Sequence, residues 1–370
     1  TVSSLTSETI VLDGKQVQLN GFSTAGNLTL KGGDITQRGA LTVDGVTTLA
    51  AAKVTLEDAG NDFKNTVVLN SAGDVKIQDA NSVVLQGTVN KLTAKAVADV
   101  NQAGALAVTK TSDITAANVN LNNNKNVFGE LLTVNATQVA TVHSDQNLTV
   151  GGNADTLNVL LGGDLRLSST AVGTLNATGK NINQAKPTDA VQVNGKATLT
   201  AQQLDLQNAS NDFKGTLELA VTGKANIVDG NDLVLNGHAQ TLNVTVGGSL
   251  TAGDLEMGNG TLAASTIQMN QLNVLDAARL QANTVTQTEA NQSGGEITIA
   301  ADTVNLALEN DFKGNVILEN VGTASIHDSN QLVLSGSAAS SITVCHLPCL
   351  RLGCGFFMVF WSRKKARQDR

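Results

Sequence analysis

Few residues in this chain could carry chemistry. There are four His: His143, His238, His327 and His346. His143 and His327 occupy one repeat position, just before an acidic turn, yet the equivalent positions hold Gln78 and Val228. An imidazole that catalysed or bound a metal would not give way to an amide and an alkyl group. These His are therefore expected to decorate a solvent-facing surface. No His-Glu-x-x-His, Walker loop or Cys-x-x-Cys occurs. The pairs Gly151-Gly152, Gly162-Gly163 and Gly247-Gly248 lie between strand-like runs, and with no helix N-terminus after them they read as turns rather than phosphate cradles. Carboxylates are plentiful, and a pair of them could cleave a polysaccharide. That chemistry needs a groove and a sugar platform, which aromatic faces usually supply, and aromatics are 2% of the residues. The expectation is a non-enzyme with no catalytic residue, cofactor or metal ligand. A polysaccharide-active β-helix enzyme is the alternative.

The elements that would position any site must be built without rings. The 370 residues include 35 Gly, 2 Pro, 8 Phe, 1 Trp and no Tyr, yet 41% are hydrophobic. That is too apolar for a disordered chain, so the core must be aliphatic. No run approaches the ~20 apolar residues of a spanning helix. A membrane barrel lacks its aromatic girdles. Residues 1–344 carry 18 basic and 31 acidic groups. An acidic body repels nucleic acid and anionic lipid, so neither is an expected partner.

Repeats organise this body. Asn61-Asp62-Phe63-Lys64 recurs as Asn211-Asp212-Phe213-Lys214 and Asn310-Asp311-Phe312-Lys313, with a degraded copy at Asn126-Val127-Phe128-Gly129. An acidic turn follows each Phe, beginning at Asp79, Asp145, Asp229 and Asp328, at offsets of 16, 17, 16 and 16. An apolar triplet and a Gly come next: Gly87, Gly151, Gly237 and Gly336. Upstream, Gln37, Gln102, Gln184 and Gln287 close a second marker, whose copies begin at Ile35, Val100, Ile182 and Val285. The marker copies lie 65, 82 and 103 residues apart. Increments near 20 suggest that whole coils are added, giving modules of three, four and five coils of about 21 residues.

Short runs such as Val17-Gln18-Leu19, Leu28-Thr29-Leu30 and Ile297-Thr298-Ile299 alternate with period two between Gly, Asn and Asp. They predict an all-β fold, a right-handed parallel β-helix over residues 1–344, with modules starting near 35, 100, 182 and 285. About 16 coils at ~4.8 Å would make a rod of roughly 75–80 Å. Only Leu275–Asn283 could pass for a helical turn. Phe63, Phe128, Phe213 and Phe312 should be buried at corners, and Asp79, Asp145, Asp229 and Asp328 should hydrogen-bond the backbone of the turns. These eight are structural repeat positions. Sequons at Asn27, Asn135, Asn147, Asn176, Asn208, Asn243 and Asn291 would permit glycosylation outside a cell.

The order Ile-Thr-Gln, Ala40-Leu41-Thr42-Val43, Val54-Thr55-Leu56, Ala59-Gly60-Asn61-Asp62-Phe63 and Asp79-Ala80-Asn81 resembles the repetitive rod of filamentous haemagglutinin-like adhesins, exported by two-partner secretion. The resemblance covers about residues 27–344. It implies a segment of a large extracellular bacterial adhesin, associated with the cell surface and outer membrane. Its partners would be a receptor or glycan on a host or neighbouring cell, and an outer-membrane transporter during export. The family's export domain, with its Asn-Pro motifs, is not seen. A passive structural surface or matrix protein is the third reading.

Residues 345–370 differ from the rest. They hold all three Cys (Cys345, Cys349, Cys354), the only Trp, three Phe, six basic groups and one acid. The shift falls in mid-strand after Val344, as a change of reading frame would produce. An interfacial anchor or a cap for the last coil are the other readings. The chain begins at Thr1 without a signal segment, as a fragment or processed product would.

Overall fold

The computed structural model describes residues 8–24, 26–70 and 73–346. The tail beyond 346 lies outside the described residues, as do any conclusions about its frame or anchoring. The fold is an all-β parallel solenoid of about 19 turns with about 18 residues per coil. Its contacts divide it into two compact units, Thr1–Gly215 and Thr216–Arg370.

In the first unit, strands from Thr9–Leu19 to Asp212–Phe213 pair in parallel, each with the strand one coil away. Alternation puts every second side chain inside, so the inward positions of successive coils stack into ladders. One ladder runs Ile10, Leu28, Thr47, Val67, Leu85. Another runs Val17, Ile35, Val54, Val75, Leu92, Ser112, Leu132. Aliphatic side chains of similar width stack at this spacing, whereas a large ring in every coil would not fit. Two hydroxyls interrupt the ladders: the Thr47 and Ser112 oxygens are buried without a hydrogen-bond partner.

The second unit repeats the pattern. Ala225, Leu242, Gly260, Ala278, Ile297, Val316 and Leu334 form one inward ladder through six parallel pairings. The stretch Leu275–Asn283 is not helical. It belongs to the strand Thr266–Gln287, with Ala278 and Leu280 pointing inward. Ladder partners on both sides, Gly260 and Leu262 before and Ile297 and Ile299 after, override its local helical preference.

The coils are shorter than the marker spacing predicts, and the register explains why. Following the ladder from Ile35 leads to Val54, Val75 and Leu92. The next marker, Val100, lies eight residues beyond Leu92. From Val100 the ladder passes Val119, Ala140, Leu157 and Leu175, and the third marker, Ile182, lies seven residues beyond. Each module therefore advances by whole coils plus a fraction of one, and its marker moves on around the coil. Dividing by whole coils alone overstates their length.

Candidate functional site

The repeated residues converge on a corner that clips adjacent coils together. In the first module Asn61 is fully buried. Its Oδ1 accepts hydrogen bonds from Gln37 Nε2 (2.7 Å) and the Leu41 N–H (2.9 Å). Its Nδ2 donates to Gln37 Oε1 (3.0 Å), the Leu56 carbonyl (3.1 Å) and the Gln78 carbonyl (3.1 Å). One amide thus satisfies groups on its own coil, the coil before and the coil after. Gln37 completes its own set by donating to the Gly39 carbonyl (2.9 Å). A tight turn delivers Asn61 to this position: Gly60 N–H donates to Asp58 Oδ1 and Asn61 N–H to the Asp58 carbonyl.

Two residues on, Phe63 turns inward and is 1% exposed. Its N–H donates to Asp79 Oδ2 (2.7 Å), one coil later, while Asp79 Oδ1 accepts from the Asn81 N–H (2.7 Å). Burial pushes the Asp79 carboxyl above its ordinary value, and the two backbone N–H bonds pull against that shift. Outside the corner, Lys64 reaches back to Asp44 on the preceding coil (2.7 Å). The hydrogen bond and charge of Asp44 hold the Lys64 ammonium above its usual value.

The same clip recurs. Asn126 Oδ1 accepts from Gln102 Nε2 (2.6 Å) and Leu106 N–H (2.9 Å), and its Nδ2 donates to Gln102, Leu121 and His143 oxygens. Asn211 Oδ1 accepts from Gln184 Nε2 (2.8 Å) and Val191 N–H (2.9 Å). Here the marker lies three residues further from its Phe, because Gln184 also spans the Pro187 loop: Gln184 donates to the Asp189 carbonyl and Asn208 to the Pro187 carbonyl. In the second unit Asn310 Oδ1 accepts from Gln287 Nε2 (3.1 Å) and Asn291 N–H (2.8 Å), and its Nδ2 reaches the His327 carbonyl (2.9 Å). Phe312 N–H donates to Asp328 Oδ2 (2.7 Å), and Asn330 N–H to Asp328 Oδ1 (2.8 Å).

Phe63, Phe128, Phe213 and Phe312 are all buried, at 1%, 4%, 0% and 1% exposure. Asp79, Asp229 and Asp328 are buried as well. Asp145 is not: it is exposed, and Asn124 Nδ2 donates to it (2.8 Å). The buried residue at this corner is Ser144, sixteen residues after Phe128, where the other copies carry Asp. Its hydroxyl donates to the Asn126 carbonyl (2.6 Å) and accepts from the Gln146 N–H (3.0 Å). The offset of 17 in this copy marks a slip by one residue. The glycine slips with it. Gly87, Gly237 and Gly336 have φ of 111°, 98° and 107°, and the matching residue is Gly152 (φ 117°), not Gly151. A Cβ on Gly152 would lie 2.1 Å from the Val134 carbonyl oxygen.

Composition and spacing single out the Phe and Asp of each copy but leave Asn61, Asn126, Asn211 and Asn310, and their Gln partners, without a shared role. The usable signal was the separation of Gln and Asn: 24 residues in both the first and second copies. Two amides at a constant distance, each able to donate and accept, form a reciprocal pair when one coil overlies the next.

Outward faces carry a different order. Asn118 donates to Asp99 (2.9 Å), Asn120 to Asn101 (2.7 Å), Asn176 to Asn158 (2.8 Å) and Asn243 to Asn226 (3.1 Å), each from one coil to the one before. Two open polar concavities were found. One, of about 250 Å³, is lined by Asn101, Gln102, Asn120 and Asn123. The other, of about 510 Å³, lies in the second unit beside the Arg279–Glu319 ion pair. No group of three or more His, Cys, Asp or Glu able to hold a metal occurs among the described residues. Nor, among them, is any helix long and apolar enough to cross a membrane. Of the sequon residues, Asn291 is buried and its side chain is committed to the Leu272 N–H and the Glu289 carbonyl.

Three stretches of the chain, 6–70, 72–135 and 132–220, match a family described as Repeats of unknown function (DUF5649). Together they span more than half of the sequence, and each contains one Gln–Asn–Phe clip. The fourth clip, Gln287 to Phe312, lies outside the matched stretches. No curated protein and no solved structure matches the chain.

Proposed function

This chain belongs to the family of Repeats of unknown function (DUF5649), and from that premise we propose that it is a display scaffold: part of a large extracellular adhesin whose stiff coils hold polar faces away from a cell. The observation that carries this reading is where the repeated side chains go. Asn61, Phe63 and Asp79, and their counterparts, are spent on holding one coil to the next. What repeats is therefore geometry, and what varies is the outward Asn, Asp, Thr and Lys. Such faces bind shallowly, and attachment gains strength by repetition. Export through an outer-membrane transporter belongs to the same proposal, as do a receptor or glycan on a host or neighbouring cell and a place at the cell surface.

The test is adhesion at controlled density. The full chain, coupled to beads, is offered to animal cells, to bacterial cells and to an oligosaccharide array. Attachment that rises steeply with coupling density supports the proposal. Release of reducing sugar from a polysaccharide would favour the enzyme instead. Absence of attachment at every density would favour a passive structural component. An antibody to the chain should label intact producing cells, and labelling only after permeabilisation would overturn the surface location.

A further inference from the structure

The last described coil, Val333–His346, leaves its core open. Leu334, Ala338, Ile342 and Val344 continue ladders whose previous members, Val316, Val321, Ala324 and Ile326, are at most 4% exposed. The four residues of the last coil, with Leu332, are instead half-exposed. Beyond them the coil presents an unpaired strand edge, which is prone to pair with whatever is near. Solenoids need such ends covered.

We propose that residues 347–361 of this same chain cover that end, with Leu350, Phe356, Phe357, Val359, Phe360 and Trp361 laid across the open ladders. Three observations converge on this occupant. The segment starts where the open coil stops, so its local concentration over the end is far above that of any separate molecule. Its 15 residues approach the length of one coil, about 18 residues, so it can trace most of a further turn. It also holds the chain's densest aromatic cluster, beside a surface that lacks rings. Charge agrees: residues 216–346 carry thirteen acidic and three basic groups, while Arg363, Lys364, Lys365, Arg367 and Arg370 follow the apolar run.

Trp361 is the only Trp in a chain without Tyr, so its fluorescence reports this segment alone. In the full chain we expect blue-shifted emission, poorly quenched by acrylamide and unchanged on dilution. Leu334→Asp and Ile342→Asp should each shift it to the red and raise quenching several-fold, while Ser340→Asp, at an exposed position of the same coil, should leave it alone. If all three variants lose β-sheet circular dichroism, the wild-type emission, quenching and dilution series decide. Red, readily quenched emission in the wild type would overturn the proposal. So would a blue shift that fades on dilution, which indicates a second copy as the cover. A blue shift that appears only with phosphatidylserine vesicles would make the segment a membrane anchor and overturn it too. Blue emission indifferent to Leu334→Asp in a folded variant would place the segment elsewhere.

Discussion

The corners at Asn61 and Asn126 belong to the same unit and solve one problem with different third residues. Both use a buried Asn paired with a Gln 24 residues earlier, and both bury a Phe two positions on. One then closes the corner with the Asp79 carboxylate, which accepts two backbone N–H bonds. The other closes it with the Ser144 hydroxyl, which donates to the Asn126 carbonyl and accepts one N–H. The first also adds a Lys64–Asp44 bridge, where the second has Gly129. A side chain at 129 would start 2.0 Å from the Thr109 carbonyl oxygen, so that bridge cannot simply be copied. The amide pair and the ring define the clip, whereas the carboxylate and the Lys are variations on it.

If so, the two rings should matter equally and most. Phe63→Ala and Phe128→Ala should each cost about 3–5 kcal/mol, because either leaves a ring-sized cavity between coils that cannot collapse. Denaturant unfolding of the two variants checks this, and a twofold difference between them would break the equivalence. Next come Asn61→Ala and Asn126→Ala. Each orphans a Gln and several backbone groups that are buried or nearly so, at about 1–3 kcal/mol for each group left unpaired. Both variants should fall in the range of about 2–4 kcal/mol by thermal melting, after partial rescue by water.

The third residue should separate the modules. Asp79→Ser should be tolerated within about 1–2 kcal/mol, since Ser144 serves natively at that corner. The substitution should also remove a pH dependence. Burial holds the Asp79 carboxyl above its ordinary value, so the unfolded chain ionises first as pH rises. The Asp79 contribution is therefore most favourable below the ordinary carboxylate range. It is lost as pH climbs from there to the raised folded value, and is flat above it. The difference in stability between wild type and Asp79→Ser, followed against pH, should show this decline. An increase with pH would mean that the backbone bonds outweigh burial. Smallest of all, Lys64→Ala should change stability by no more than about 1 kcal/mol, because both partners of its bridge are half exposed.

The sequence disclosed the parallel solenoid because alternation and recurring offsets are linear properties. Phe63, Phe128, Phe213 and Phe312 were legible for the same reason: rings are so scarce in an aliphatic body that a fixed position for them must be a packing position. Angular position around the coil was not legible. The markers at Ile35, Val100 and Ile182 differ by whole coils plus a fraction, and only the ladder register separates the two. Asp145 misled because Asp and Ser both satisfy turn backbone, so the acidic residue beside Ser144 attracts the assignment. The role of Asn61 stayed hidden because Asn in a Gly-rich turn has a local explanation, whereas its Gln partner lies a coil away.

The central claim, that the repeated amide is an inter-coil clip, bears most directly on the amides of Leu41, Leu106 and Val191. Each donates to an Asn side chain, Asn61, Asn126 or Asn211, rather than to a backbone carbonyl. Native-state hydrogen exchange should find these three protected as strongly as neighbouring ladder amides, with Asn61→Ala releasing Leu41 and leaving Leu106 and Val191 slow. Fast exchange at all three in the unmodified chain would contradict the account.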